Sequence, residues 1–555
     1  MRTTRILVLA AALAVALTAC SGGDGDSDVL SGEKVSTTAD YNPQPREALA
    51  DGGTLTTVLS GALYEQLNPM HADMNSGVVE LARWNTPQLQ SMSPEGEVTW
   101  DEDYVTEVTD ELVDGNREVT FTINDEAAFN DGTPIDWRAF EARWEVSNGQ
   151  DEAYSVYTTE GYADITSVEA GEDDKQAVVT YDGPGIFWKS QFDTVLHPDV
   201  ADPETFNIAF VKDLHNEWGA GPYRVKDLSD SAVVYERNPE WWGDPGKLDE
   251  RIFRFMEATA AINAFRNGEI DAVPASTKES LAQIESMDGI ELRSATKTSS
   301  NMLQINPEAP LLKEVPTRQA IALGFDRETL AKVQFDGLNS DTAVSGSLTL
   351  YPFQDGYRDV YAAAGGGYDP DQAKILLDEA GWTVGEEGIR EKDGERLELV
   401  WPITTDTATA KNVSLAAQQM MKRIGVDLVL DFRDSSELVA TYDEREYDVL
   451  FGGWGTSAPD EGLVYFCSLF CSDNGGTSME NYEQLTPRAA EAVRLSDHDD
   501  VVDTFMDLEQ QAFEQFDIVP LWNVPDIVAV KEGLANYGAG LFFRGRVQDI
   551  GWQES

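Results

Sequence analysis

Two short stretches decide how this chain is read: Gly219-Ala220-Gly221-Pro222-Tyr223 and Glu236-Arg237-Asn238-Pro239-Glu240-Trp241-Trp242-Gly243. Gly221-Pro222 and Asn238-Pro239 are turn dipeptides, because proline fixes φ and glycine or asparagine tolerates the conformations beside it. Trp241 and Trp242 are wide apolar groups that need a packing partner at a domain edge. Outward from these turns the chain alternates strands and helices. Residues 117–123 alternate polar and apolar and read as a half-buried strand, between turn signals at Asp114-Gly115 and Asp131-Gly132. Asp136 then caps a helix whose apolar face is Trp137, Phe140 and Trp144. Helix, glycine and strand recur as a unit. Residues 260–266 read as a helix, stopped by Asn267-Gly268, with a strand at 269–273. Residues 373–380 form a helix closed at Gly381. Val413, Ala417, Met420 and Ile424 make a helical stripe closed by Gly425, with a strand at 426–430. The expected class is α/β, with mixed sheets flanked by helices.

The two opening stretches belong to a longer ordered series. Phe129-Asn130-Asp131-Gly132-Thr133-Pro134 precedes them. Asn267-Gly268-Glu269-Ile270-Asp271, then residues 318–327, 368–374 and 379–382, and finally Pro520-Leu521 follow. In this order they resemble extracellular solute-binding protein family 5, the oligopeptide-, dipeptide- and nickel-binding proteins of ABC importers. The resemblance runs from about Thr54 to the C-terminus. It implies a two-lobed periplasmic-binding-protein fold with an extra inserted domain. The first lobe is expected from residues 51–95, 215–295 and 516–555, the inserted domain from 96–214, and the second lobe from 296–515. Ligand is expected in the cleft between the lobes, which close by a hinge when ligand touches both. The implied protein is a monomer that binds rather than catalyses. It carries no cofactor and delivers peptide, or a peptide-like solute, to a permease and ATPase.

The N-terminus reads as an export signal. Met1-Arg2-Thr3-Thr4-Arg5 is basic, and residues 6–19 are almost wholly apolar. That run has the length of a signal-peptide core and falls short of the roughly 20 residues a membrane-spanning helix needs. Leu17-Thr18-Ala19-Cys20 resembles the bacterial lipobox, in which residues 1–19 are removed and the Cys20 thiol receives diacylglycerol. Residues 20–50 read as a flexible tether, since its Gly, Ser and Asp bury little apolar area. The protein is therefore expected on the outer face of the cell membrane, held by lipid.

Composition narrows the partners. The chain of 555 residues has 100 acids against 40 Lys and Arg, a net charge of −60. Nucleic acid and anionic lipid surfaces would repel such a body. The acids are spread along the whole chain, as on a surface adapted to salt. A chain this long exceeds a single core, so two or three domains are expected. Cys467 and Cys471 form either a local disulfide or two buried thiols. With no histidine nearby they are no zinc site, and no metal site is expected. No G-x-S-x-G, H-E-x-x-H or Walker A motif is present, which weighs against an exported hydrolase. A use of the same fold in cell-envelope glycolipid assembly or sensing is the other alternative.

The resemblance also points to ligand-binding residues. Residues 447–455 fit a strand ending in a glycine-tryptophan turn, and peptide-binding members place a carboxylate for the ligand's α-ammonium group after it. Asp460, behind Pro459, is the favoured match and Glu461 the alternative. Gly453 and Trp454 belong to the turn, where Trp454 would pack on peptide. His71, in Leu67-Asn68-Pro69-Met70-His71, is the candidate from the first lobe. Asn301 opens the strand that re-enters the second lobe.

Overall fold

The computed structural model describes residues 38–338, 344–405, 407–434, 437–471 and 477–554. The expected leader, Cys20 and the first part of the tether lie outside the described residues.

The two opening stretches join the first lobe to the inserted domain. The backbone N–H groups of Ala220 and Gly221 donate to the Asn85 carbonyl at 2.9 and 3.0 Å. A Cβ at Gly219 would lie 2.6 Å from that carbonyl oxygen, and one at Gly221 would lie 2.7 Å from the Trp84 carbonyl oxygen. This close backbone approach is why both positions are glycine. Asn238 Nδ2 donates to the Gly221 carbonyl and to Asn130 Oδ1, both at 2.8 Å. Trp241 and Trp242 pack on Tyr104 with ring centroids 5.3 and 5.5 Å away, at the edge of the inserted domain's core.

The first lobe carries a four-stranded sheet in the order Thr54–Ser60, Glu250–Met256, Ala232–Arg237, Tyr223–Ser229. The first pair is parallel and the others antiparallel. Strand alternation sends Leu55, Val233, Tyr235 and Phe253 into one core with Trp84. The inserted domain is an antiparallel sheet in the order Val105–Val113, Asn116–Ile123, Gln176–Tyr181, Ile165–Ala170. The helix Trp137–Ser147 packs on it, capped by Asp136, whose Oδ1 accepts from Arg138 N at 2.9 Å. Phe140 fills the core against Phe121 and Phe192, while Trp137 and Trp144 stay partly buried.

A third sheet links the lobes. Its order is Ala272–Pro274, Ile518–Lys531, Ile290–Ile305, Val449–Gly455. The two central strands run 14 and 16 residues, and their register breaks between Thr296 and Ser300. Residues 290–296 pair with 525–531, and beyond the break residues 300–304 pair with 518–523. Such a bulge bends and twists a ribbon at the crossing. The pairing of residues 518–523 keeps them in the second lobe's sheet, so that lobe extends past the boundary at 515 that the sequence suggests.

In the second lobe the helices Val315–Gly324, Arg327–Gln334, Pro370–Glu379 and Ala408–Ile424 share one large core with the parallel strands Glu398–Ile403 and Asp427–Phe432. Val413, Ala417, Met420 and Ile424 are buried as a stripe, and Gly425 closes the helix at φ 89°. Cys467 and Cys471 are joined across one helical turn, with Cα atoms 4.3 Å apart.

Two further expectations are corrected. The strand expected at 269–273 is only Ala272–Pro274, because Glu269 N still donates to the Ala264 carbonyl and completes the end of the helix Ala258–Arg266. The tether expected to run to residue 50 is docked from Asp40 onward. Asp40 bridges Ala539, Arg46 pairs with Asp549 at 2.7 Å, and Leu49 is buried. Leu49 and Arg46 give this segment something to bind with, which Gly, Ser and Asp alone do not. Among the described residues no helix is long and apolar enough to cross a membrane.

Candidate ligand-binding site

A cavity of about 1060 Å³ lies between the lobes. The first lobe contributes the helix Ser76–Ala82, the following Arg83, and residues 541–544. Asn75 caps that helix by accepting from Gly77 N and Val78 N, which fixes how its face meets the cavity. The inserted domain contributes residues 156–160, and Thr298 lines the cavity from the break in the crossing strands. The second lobe contributes Trp454, Glu461 and Tyr465. Smaller cavities of about 200 and 300 Å³ adjoin it, and Glu160 lines all three.

The structure separates the six candidate residues. Trp454, opposite Ser300 in the crossing sheet, lines the main cavity. Glu461 lines both the main and the 200 Å³ cavity. Asp460 lines neither: its Oδ1 lies 2.9 Å from His498 Nε2, on the flank of the second lobe. Gly453 pairs with Asn301 in the strand ladder, and neither lines the main or the 200 Å³ cavity. Asn301 Oδ1 accepts from Trp522 Nε1 at 2.9 Å, so its side chain serves the sheet. His71 is 7% exposed, its Nδ1 accepts from Asp73 N at 3.0 Å, and its backbone bridges Val156. It steadies the loop behind the cavity wall.

Burial raises the pKa of two carboxyl groups that line the cleft. Burial holds the Glu461 carboxyl above its ordinary range, opposed by hydrogen bonds from Ser457 N and from Ser457 Oγ, the latter at 2.8 Å. Burial pushes Glu160 up to about 7. Ser468 Oγ donates to Glu160 Oε1 at 3.4 Å, a contact from the second lobe to the inserted domain. Desolvation of this kind is relieved when a cation arrives beside the carboxylate. Cations are also close: Arg83 pairs with Glu80 at 3.2 Å and Arg544 with Asp193 at 3.0 Å. Among the described residues no group of three or more His, Cys, Asp or Glu side chains could hold a metal ion.

Glu160, Arg83, Arg143 and Arg544 were not singled out in the sequence, because they come from four distant segments that only the tertiary fold assembles. Arg143 alone left a trace. It is a basic residue one helical turn from Phe140, on a helix that packs against a core.

The family model described as bacterial extracellular solute-binding proteins, family 5 Middle, matches residues 102–476. The oligopeptide-binding protein OppA of Mycobacterium tuberculosis is 31% identical over 525 residues, covering 91% of this chain and 85% of that one. The nickel-binding periplasmic protein of Escherichia coli is 24% identical over 378 residues, covering 63% and 66%. Among solved structures, the periplasmic EDTA-binding protein EppA superposes with a TM-score of 0.81 at 21% identity, covering 95% of this chain and all of that one. The oligopeptide-binding protein AppA from Bacillus subtilis, in complex with a nonapeptide, gives 0.72 at 18%, covering 91% and 100%. With the two lobes, the inserted domain and the cavity between them, these matches establish that the chain belongs to the bacterial extracellular solute-binding proteins of family 5, a family of binding proteins rather than enzymes.

Proposed function

We propose that the protein captures peptides outside the cytoplasm and hands them to an ABC permease and ATPase, working as a monomer tethered through lipid on Cys20. The observation that carries this reading is the cavity of about 1060 Å³ lined by both lobes, with the Glu461 carboxylate and Trp454 on its second-lobe side. Its volume is at the upper end for pockets that enclose a drug-sized ligand, which suits several residues of peptide. Glu461 accepts the ligand's α-ammonium group, and Trp454 packs on the first residues. One fixed carboxylate sets the register while the rest of the cavity accepts varied side chains. The oligopeptide-binding relative at 31% identity supports the same ligand class.

The test is a calorimetric cycle with Glu461→Gln and N-acetylated peptides. Each change alone should weaken binding by more than about tenfold, or 1.4 kcal/mol. Together they should do little more than either, since both remove one interaction. If acetylation leaves affinity unchanged, the ammonium contact is wrong. If no peptide binds, the peptide reading falls.

A further inference from the structure

Asp40-Tyr41-Asn42-Pro43-Gln44-Pro45 lies near the start of the described chain. Its prolines favour an extended backbone, and Pro45 has one, with φ −66° and ψ 147°. The segment runs antiparallel to residues 534–539. Asp40 N donates to the Ala539 carbonyl at 2.6 Å, and Ala539 N donates back to the Asp40 carbonyl at 2.9 Å. Tyr537 N and Asn536 N donate to the carbonyls of Tyr41 and Asn42, each at 3.0 Å. Asp40 Oδ2 also accepts from Ser294 N at 3.1 Å, just before the break in the crossing strands. A Cβ at Gly538, where φ is 152°, would lie 2.5 Å from the Asp40 carbonyl oxygen. Glycine at that position admits the segment.

Beyond residue 539 the chain becomes the first lobe's wall of the main cavity, residues 541–544. Glycine stands at positions 538, 540 and 545 of this loop, and glycine loses the most conformational freedom when a chain is ordered. The loop therefore depends on contacts from outside it. Phe542 N donates to the Pro94 carbonyl and Arg544 N to the Met92 carbonyl, which hold the backbone. The Phe542 ring meets Tyr351 and Phe353 of the second lobe. The Phe543 ring, which lines the cavity, has one aromatic partner among the described residues. That partner is Tyr41, stacked on it with ring centroids 3.8 Å apart and planes inclined by 22°. Such a pair is held by more than the area it buries.

We propose that residues 40–44 form a strap that positions the cavity loop 541–544, with Tyr41 as a positioning residue that acts on ligand through Phe543. Tyr41 itself does not line the main cavity. The inference rests on the reading of that cavity as the peptide site and goes beyond it. Without Tyr41 the Phe543 ring is ordered only when ligand arrives, and that ordering costs affinity. The same segment continues in sequence toward Cys20, so the tether and the cleft wall are fixed to one another.

Calorimetry with Ala-Ala-Ala and penta-alanine on the full-length exported protein tests this. Tyr41→Ala keeps the strap's backbone hydrogen bonds, so the variant should fold, yet bind these peptides at least about threefold more weakly. Tyr41→Phe keeps the ring and should bind within about twofold of wild type. If Tyr41→Ala lacks a cooperative melting transition, Tyr41→Leu, which keeps apolar bulk without the stack, is read in its place. Unchanged affinity without the ring overturns the inference, even where the melting temperature falls, because the contact is then structural only. A loss that Tyr41→Phe shares overturns it too. If neither peptide binds wild type, the peptide reading falls and hydrogen exchange of the amides of residues 542–544 in ligand-free protein decides the strap. Faster exchange in Tyr41→Ala but not in Tyr41→Phe keeps it, and any other pattern overturns it.

Discussion

Asp460 Oδ1 sits 2.9 Å from His498 Nε2, and this contact commits Asp460 to the fold while Glu461, one residue on, lines the cavity between the lobes. Asp460→Asn should therefore change peptide affinity by less than about twofold, whereas Glu461→Gln should abolish most of it. Its effect is on stability instead. The Asp460 hydrogen bond and charge raise the His498 pKa above its usual 6.5. A raised folded pKa stabilises fully below about 6.5 and is lost as pH climbs through the folded value. Asp460→Asn should lower the melting temperature at pH 5 and leave it nearly unchanged at pH 9. The pair is partly exposed, so the loss is about 1 kcal/mol or less. Equal losses at both pH values would contradict this.

Glu160 has a raised pKa of the same sign, caused by burial rather than by a partner. Its folded value of about 7 exceeds the ordinary 4.5, so the native state holds this proton more tightly than the unfolded chain. Stability then falls as pH rises through that window. In ligand-free protein Glu160→Gln should raise the melting temperature relative to wild type at pH 8 and have no such advantage at pH 4. A difference that does not vary with pH would show that the burial of Glu160 is unimportant.

Closure can be weakened without touching ligand. Phe353 in the second lobe stacks on Tyr351 and meets Phe542 of the first lobe, each with ring centroids 5.6 Å apart. Phe353 does not line the main cavity. Phe353→Ala removes part of this inter-lobe contact and lowers the closed fraction, so affinity should fall by about threefold or more with the order of preferred peptides unchanged. Titration of a peptide panel reads both, and unaltered affinity would mean that the cluster does not govern closure.

Salt should stabilise the protein. With a net charge of −60, repulsion among exposed acids weakens as the Debye length shrinks from about 10 Å at 0.1 M to about 3 Å at 1 M. A melting temperature that stays flat or falls as sodium chloride rises to the molar range would count against a surface adapted to salt.

The lipid anchor is tested by Cys20→Ala. The variant should be folded but released from the membrane, with no incorporation of labelled palmitate, because two acyl chains are what make such an anchor stable. Wild-type labelling in the variant would place the lipid elsewhere.

The sequence by itself determined the elements and their order. Gly425 after a 413–424 stripe and Asp136 before Phe140 carry local instructions, since caps and periodicity depend on neighbours in the chain. It also determined the family, and offered two adjacent residues as candidates for a second-lobe carboxylate. Only in three dimensions do the two part, Glu461 lining the cavity and Asp460 meeting His498, which lies 38 positions away in sequence. The same holds for the cavity where Arg83, Arg143, Glu160 and Arg544 meet. It also holds for the extent of the second lobe, set by which strand residues 518–523 hydrogen-bond. A local motif fixes which way a backbone turns. Which side chains converge on one space depends on how separate elements pack, and no spacing along the chain encodes that directly.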